Sequence, residues 1–208
     1  MTPRRSGGEP TRARSRVVRR ELLVFTEGER TEEGYLVHWW RVHRDQVTVT
    51  IDAFHGGPLP IVDRAVAAKR SEAREERRGR GRSHDEVWCV FDRDEHPNVP
   101  QAFEKAAANG VGVAVSNPCI ELWFVLHFAN QTAHLERDEA QYRSKTLLGC
   151  EKTLSPGALA ELEARYEEAR ARALRLDEKH EGDGSPHHSN PSSNLWALVD
   201  RIRTPVSP

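Results

Sequence analysis

Three acidic residues stand where two apolar segments of the sequence end. Glu27 follows the segment 21–26, and Asp92 and Asp94 follow the segment 86–91. The spacing of one residue between Asp92 and Asp94 places their side chains on the same side of an extended chain. Converging carboxylate oxygens suit Mg²⁺ or Mn²⁺, which keep open positions for phosphate oxygens. The pattern therefore favours a metal site acting on phosphate esters, while solvated loop acids remain the alternative interpretation.

The elements that must position these acids are four short apolar runs. Continuous or β-branched apolar runs predict strands that are buried on both faces. Helical patterns separate the runs, and this alternation predicts a parallel, doubly wound α/β sheet. In such sheets the functional crevice lies beyond the carboxyl ends of the strands, where these acids would meet. The predicted strands are 21–26, 47–51, 86–91 and 111–115.

Helices are predicted from apolar spacing and from capping residues between and after the strands. Asn117-Pro118 is typical of a helix cap followed by a first helical residue. The charged stretch 71–86 is expected to be an exposed, mobile connection, and 177–193 a loop. The predicted helices begin near Thr31, run through 61–66 and 98–107, and then cover 120–128, 156–176 and 195–202.

Four more residues are candidates for supporting roles around the acids. Glu29 is expected to share the metal, and His96 to line the crevice as an acid or a phosphate contact. Glu121 lies in the helix that follows the fourth strand, so it either faces solvent or points at the metal edge. Asn117 is explained as a helix cap or as a further contact at the site.

Other marked residues are explained by ordinary structure. Glu32 is expected in a first helical turn, where its charge meets the helix dipole. His127 is expected to be a hydrogen-bonded core histidine. Tyr35, Tyr142 and Tyr166 are expected to pack in the core, so none is assigned as a nucleophile.

Four segments together resemble the motifs of the RloB-like family. The first is TEGERTEEGY at 26–35, and the second is VWCVFDRDEH at 87–96. The third is SNPCIELWFVLHF at 116–128, and the fourth is NPSS at 190–193. They occur in order over about 21–203, and their combination is more specific than any one of them.

The resemblance implies a fold and an activity. It implies a Toprim-like open parallel sheet of about four strands, flanked by helices and followed by a helical C-terminal part. In that fold a Glu after the first strand and a D-x-D after the third bind divalent metal, and these roles fall on Glu27, Asp92 and Asp94. A nuclease that uses Mg²⁺ or Mn²⁺ and cuts DNA or RNA, such as tRNA, is therefore expected.

The resemblance also implies a biological context. RloB-like proteins are similar to second components of two-gene, abortive-infection phage-defence systems whose partner is an AAA-type ATPase. The sequence contains no phosphate-binding G-x-x-x-x-G-K-[ST] loop, so the ATPase is expected on a separate chain. A homo-oligomer is a further expectation. The alternatives are a non-catalytic regulatory subunit of such a complex, or another metal-dependent phosphotransferase or phosphatase.

Charge is distributed unevenly along the 208 residues. Seven arginines and one glutamate fall within 1–20, so the rest of the chain is acidic. The basic segment is either a solvated leader or a tail that contacts nucleic-acid phosphates. An acidic body argues against a passive nucleic-acid-binding module.

Composition places the chain among globular proteins. Hydrophobic residues make up 37% and charged residues 30%, and no apolar run is long enough to span a membrane. Three cysteines without a C-x-x-C pair, and no secretory pattern, favour a reducing cytoplasm. The predicted organisation is a basic arm over 1–20, an α/β core over 21–128 and a helical extension over 129–208 packed on the core.

Overall fold

In the computed structural model, the described residues form one sheet of five strands, in the order β2-β1-β3-β4-β5. The structure describes residues 19–93 and 96–205. Strands β1 to β4 pair in parallel, and β5 pairs with β4 in antiparallel fashion. The strands are β1 Arg20–Thr26, β2 Val47–Ile51, β3 Glu86–Asp92, β4 Gly112–Asn117 and β5 Ser192–Ser193. The mostly parallel α/β sheet is as expected, and β5 is an addition to the four predicted strands.

Helices cover both faces of the sheet. Between the strands lie α1 Thr31–His43, α2 Pro58–Arg77 and α3 Val99–Ala108. After β4 come α4 Ile120–Phe128, α5 Arg137–Leu148, α6 Pro156–Ala164, α7 Tyr166–Gly182 and, after β5, α8 Leu195–Arg203.

The alternation of side chains along β1 divides the hydrophobic core into two layers. Leu22 and Val24 belong to a cluster that includes residues of α1, α4, α7 and α8. Leu23 and Phe25 belong to a second cluster with residues of α2 and α3. Successive side chains of a strand point to opposite faces, so a strand between two helical layers is apolar at every position.

Helix α2 is longer than its charged sequence predicted. The helix continues to Arg77, and only the stretch 78–85 connects it to β3. Hydrogen bonds join the acids of its last turns to that connection, with Glu72 bonded to His84 and Glu76 to Ser83. The expectation of a mobile connection over the whole of 71–86 is therefore wrong for the part that is helical.

The prediction that Asn117-Pro118 opens a helix is also wrong. Asn117 is the last residue of β4, and α4 begins only at Ile120. The amide of Ile120 donates a 2.9 Å hydrogen bond to Oδ1 of Asp92, so a residue of β3 supplies an acceptor for the helix start. Local sequence gives no signal of a partner that is 28 residues away.

The predicted helix over 156–176 is two helices. α6 and α7 are separated at Arg165, and α7 continues into the predicted loop as far as Gly182. The expected apolar stripe is nevertheless largely buried, including Leu162, Tyr166 and Leu176. Apolar spacing thus identified the buried face but not the break.

Two side chains depart from their expected environments. Tyr142 is 70% exposed on α5, so its predicted place in the core is wrong, whereas Tyr35 and Tyr166 are buried. Arg20 is part of β1, and its guanidinium donates a 3.0 Å hydrogen bond to the carbonyl of Thr204. Within the described residues, none of the helices has the length and apolar character needed to cross a bilayer.

Candidate functional site at the carboxyl edge of the sheet

Glu27 and Asp92 meet at the carboxyl edge, where β1 and β3 end side by side. The amide of Glu27 donates a 2.9 Å hydrogen bond to the carbonyl of Val90, which continues the pairing of the strands. The amide of Asp92 donates in turn to Oε2 of Glu27 at 3.1 Å. The structure thus brings two of the three predicted acids together. Asp94 lies outside the described residues.

Two contacts fix the position of the Asp92 side chain, which is also largely buried. Its side chain accepts the amide of Ile120 through Oδ1. A guanidinium nitrogen of Arg137, on α5, lies 3.5 Å from Oδ2. The residue is only 7% exposed, so its carboxylate has exchanged most of its water for these contacts.

The electrostatics identify a carboxylate cluster larger than the predicted one. Burial raises the pKa of Asp92 well above its usual range, and the charges of neighbouring carboxylates raise it further. Burial is also the largest cause of the raised pKa of Glu32, and the charges of Glu121 and Glu27 raise that pKa further. Like charges in a partly desolvated site disfavour full ionisation. The cluster comprises Glu27, Glu32, Asp92 and Glu121.

Glu32 is the member that sequence reasoning missed. It lies in the first turn of α1, as expected, but it is only 7% exposed and lines the site. Its Oε1 accepts a 3.2 Å hydrogen bond from the amide of Gly28. A Cβ at Gly28 would lie 2.3 Å from Oε2 of Glu32, so the glycine makes room for this carboxylate. The available signal was that Glu32 precedes the buried Tyr35 and Leu36 by three and four residues, on one helix face.

The supporting candidates divide between the site and its surroundings. His96 is at the site, with Nε2 3.2 Å from Oε1 of Glu27. Glu29 and Glu121 line a cavity whose wall also includes Glu32 and Asp92. Asn117 is turned elsewhere, because its side-chain amide donates to the carbonyl of His188 at 2.7 Å.

A cavity of about 440 Å³ opens in front of the cluster. Three cations share its wall with the acids, and Arg137 is the one that contacts Asp92. Arg30 and Lys152 are exposed, and neither forms an ion pair with any residue of 19–93 or 96–205. The cavity thus combines carboxylates with two cations that are unpaired within the described residues. It is lined by Gly28, Glu29, Arg30, Thr31, Glu32, Asp92, Ile120, Glu121, Arg137, Gln141 and Lys152.

The donor chemistry of the cluster fits a divalent metal ion. Carboxylate oxygens are the hard ligands that Mg²⁺ and Mn²⁺ take. A cation would also relieve the repulsion that raises the pKa values of Asp92 and Glu32. In the described part of the chain, no group of three or more His, Cys, Asp or Glu side chains is already arranged as a metal site.

The fold and the cavity together define an α/β protein with an acid-rich cleft at the carboxyl edge of a largely parallel sheet. Residues 22–202 match the family model described as RloB-like protein. The chain therefore belongs to the RloB-like family. Comparison with curated proteins gave no match.

Proposed function

We propose that the protein is a metal-dependent nuclease that hydrolyses phosphodiester bonds at the carboxyl edge of its sheet. The observation that carries the proposal is that one cavity holds groups of both charges. Clustered carboxylates line it together with Arg30 and Lys152, which form no ion pairs among the described residues. A phosphodiester carries one negative charge and oxygens for both kinds of group.

The residues that would hold the metal are Glu27 and Asp92, with Glu32 and Glu121 beside them. When bound there, Mg²⁺ or Mn²⁺ supplies Lewis-acid polarisation of the phosphate and stabilises the leaving oxygen. The sequence places Asp94 two residues after Asp92, and it is retained as a third proposed ligand.

The other residues of the cavity bind and orient the phosphate. Arg30 and Lys152 contact its non-bridging oxygens through charge-assisted hydrogen bonds from their cationic head groups. Water attacks phosphorus, the bond from phosphorus to the leaving oxygen breaks, and the leaving oxygen takes a proton from solvent to become a hydroxyl group. The proton released by the water passes to the hydrogen-bonded pair of Glu27 and His96.

The wider context of the proposal comes from the family resemblance. It comprises a Toprim-type site, a role in anti-phage defence in the cytoplasm, and a separate AAA-type ATPase as partner. A homo-oligomeric assembly belongs to the same proposal. The substrate is nucleic acid, either DNA or RNA such as tRNA.

Incubation of the purified protein with plasmid, single-stranded DNA and tRNA tests the proposal. Each reaction is run with Mg²⁺, with Mn²⁺ and with EDTA, beside Glu27→Ala and Glu27→Gln. We expect cleavage of at least one substrate that requires the metal and is lost in both variants. Cleavage of phosphomonoesters alone would replace the nuclease by a phosphatase, and no turnover of any substrate would favour the regulatory-subunit alternative.

A further inference from the structure

A second cavity, of about 380 Å³, adjoins the acidic one. The two share Glu121, Gln141 and Lys152 as wall residues, so they are direct neighbours. The second cavity lies along α5 and the segment that follows it. It is lined by Glu121, Asp138, Gln141, Tyr142, Ser144, Lys145, Cys150, Glu151 and Lys152.

Two adjacent rows of side chains on helix α5 line the two cavities. Arg137 and Gln141 are four residues apart and line the acidic cavity. Asp138, Tyr142 and Lys145 continue at spacings of four and three, and they line the second cavity. Side chains three or four residues apart share one helix face. Tyr142 therefore lies in the row of α5 side chains next to the row that lines the acidic cavity, where hydrolysis is proposed.

Tyr142 is unusual among the aromatic residues of the described chain, because 70% of its surface is exposed. An exposed large aromatic side chain in a cleft is a common feature of ligand-binding sites. Gln141 beside it is half-buried and makes no side-chain hydrogen bond with any described residue. Its amide offers both a donor and an acceptor.

The charges of the second cavity suit a neutral planar group better than another phosphate. Three carboxylates stand against two ammonium groups in its wall. Lys145 is already paired with Glu151 at 2.5 Å, which leaves Lys152 for the acidic cavity. A ring face and an amide are the features that bind a nucleobase by stacking and hydrogen bonding.

We propose that Tyr142 stacks on an unpaired nucleobase next to the phosphodiester that is cleaved, with Gln141 hydrogen-bonding to that base. This inference rests on the proposed nuclease function and specifies its substrate as single-stranded or locally unpaired nucleic acid. In a duplex the neighbouring base pairs cover both faces of each base, so an aromatic side chain can stack only on a base that has left the stack.

Binding of single-stranded and duplex oligonucleotides of the same sequence tests the proposal. The measurement uses the full-length chain with Glu27→Gln, so that the ligand is not cleaved, with and without Tyr142→Leu or Tyr142→Phe. Stacking on an aromatic side chain is worth about 1–3 kcal/mol per base, so Tyr142→Leu should weaken single-strand binding about 5- to 150-fold. Tyr142→Phe keeps the ring and should stay within about twofold of the parent.

Two further measurements separate stacking from a general loss of structure. Leu147→Ala removes another exposed apolar side chain of α5, outside the cavity, and should leave binding unchanged. The fluorescence of 2-aminopurine in the single strand should be quenched on binding, and Tyr142→Leu should abolish the quenching.

The outcomes distinguish this inference from the proposed function. If wild type cleaves nucleic acid while Tyr142→Leu binds and cleaves single strands normally, the nuclease stands and the stacking site is overturned. A protein partner that covers Tyr142 would give that same result. If wild type binds and cleaves no nucleic acid with either metal, both proposals are overturned.

Discussion

The two ends of strand β3 carry acids with opposite environments. Glu86 begins the strand at the amino edge of the sheet, and Asp92 ends it at the carboxyl edge. Nε of Arg201 lies 2.8 Å from Oε1 of Glu86, and Nε of Arg20 lies 3.5 Å from the same oxygen. Burial raises the pKa of Glu86, but the hydrogen bonds and charges of these arginines outweigh it and leave that pKa below its usual value. The pKa of Asp92 is raised instead.

The comparison separates an acid that is paired with cations of the fold from one that gathers with other carboxylates. At the amino edge the single negative charge of Glu86 meets two cations of the chain, Arg201 and Arg20, which is the usual way to bury a carboxylate. At the carboxyl edge four carboxylates gather, while Arg30 and Lys152 lack ion pairs among the described residues. Such concentrations of perturbed groups are typical of functional sites.

Removing the negative charge at one end of β3 or at the other should give the largest difference in nuclease activity. Asp92→Asn keeps an oxygen for the amide of Ile120 but removes a proposed metal ligand, so nuclease activity should fall at least about 100-fold. Glu86→Gln should retain activity within about twofold, since it is remote from the cleft. Initial rates with saturating Mg²⁺ measure both. Equal losses in the two variants would remove the functional distinction between the edges.

The free energy of unfolding should depend on the two acids in the reverse order, with the larger loss in Glu86→Gln. Glu86→Gln weakens charged hydrogen bonds to Arg201 and should lower the free energy of unfolding by about 1–3 kcal/mol. Asp92→Asn removes repulsion among clustered acids, so the metal-free protein should keep its stability or gain slightly. Urea unfolding in EDTA compares them. A large destabilisation by Asp92→Asn, with activity retained, would make Asp92 the structural acid.

The pH dependence of stability should also have opposite signs at the two edges. The folded state binds the proton of Asp92 more tightly than the unfolded chain does, because its pKa is raised. Ionisation of Asp92 therefore costs the metal-free fold stability as pH rises from about 4 through the raised pKa. Glu86 has a lowered pKa, so its stabilisation is present above the unfolded pKa and is lost as pH falls through the folded one.

Urea unfolding between pH 3 and pH 8, in EDTA, measures these two contributions. The free energy of unfolding of wild type relative to Asp92→Asn should decrease with rising pH, and relative to Glu86→Gln it should increase. Saturating Mg²⁺ should suppress the first trend and leave the second. If both differences in the free energy of unfolding changed with pH in the same direction, the opposite environments deduced for Asp92 and Glu86 would be contradicted.

The smallest expected effect concerns the basic residues at the start of the sequence and in the connection 78–85. Strand β1 starts at Arg20, and Asp85, at the end of the connection 78–85, bonds to the carbonyl of Glu21. The basic connection is therefore about 20 Å along the strands from the carboxyl edge. Deleting 1–18 should flatten the salt dependence of nucleic-acid binding by about one unit of slope per lost phosphate contact, with turnover at saturating substrate unchanged. An unchanged slope would make this segment a solvated leader.

Sequence reasoning predicted the features that depend on near neighbours. Apolar runs located all four parallel strands, and helical spacing located the buried stripe of α7. The carboxyl-edge rule placed Glu27 beside Asp92 because parallel strands end together. His127 is a buried histidine bonded to the carbonyl of Trp123 at 2.8 Å, as expected.

The features that sequence reasoning missed depend on distant partners. β5 is only two residues long, too short for a periodic signal, and it exists because Ser192 and Ser193 pair with the end of β4. Glu32 joins the acidic cluster because the fold brings it close to Glu121 and Glu27, which lie on other elements. Tyr142 shares its spacing with core residues, but nothing covers that part of α5 within the described chain.

Binding of Mn²⁺, measured by electron paramagnetic resonance on the metal-free protein, tests the central claim most directly. The comparison uses wild type, Glu27→Gln with Asp92→Asn, and Glu86→Gln. The carboxyl-edge cluster predicts that wild type and Glu86→Gln bind Mn²⁺ equally, whereas the double variant loses at least about 100-fold in affinity. Equal Mn²⁺ binding by all three proteins would contradict a metal site at the carboxyl edge of the sheet.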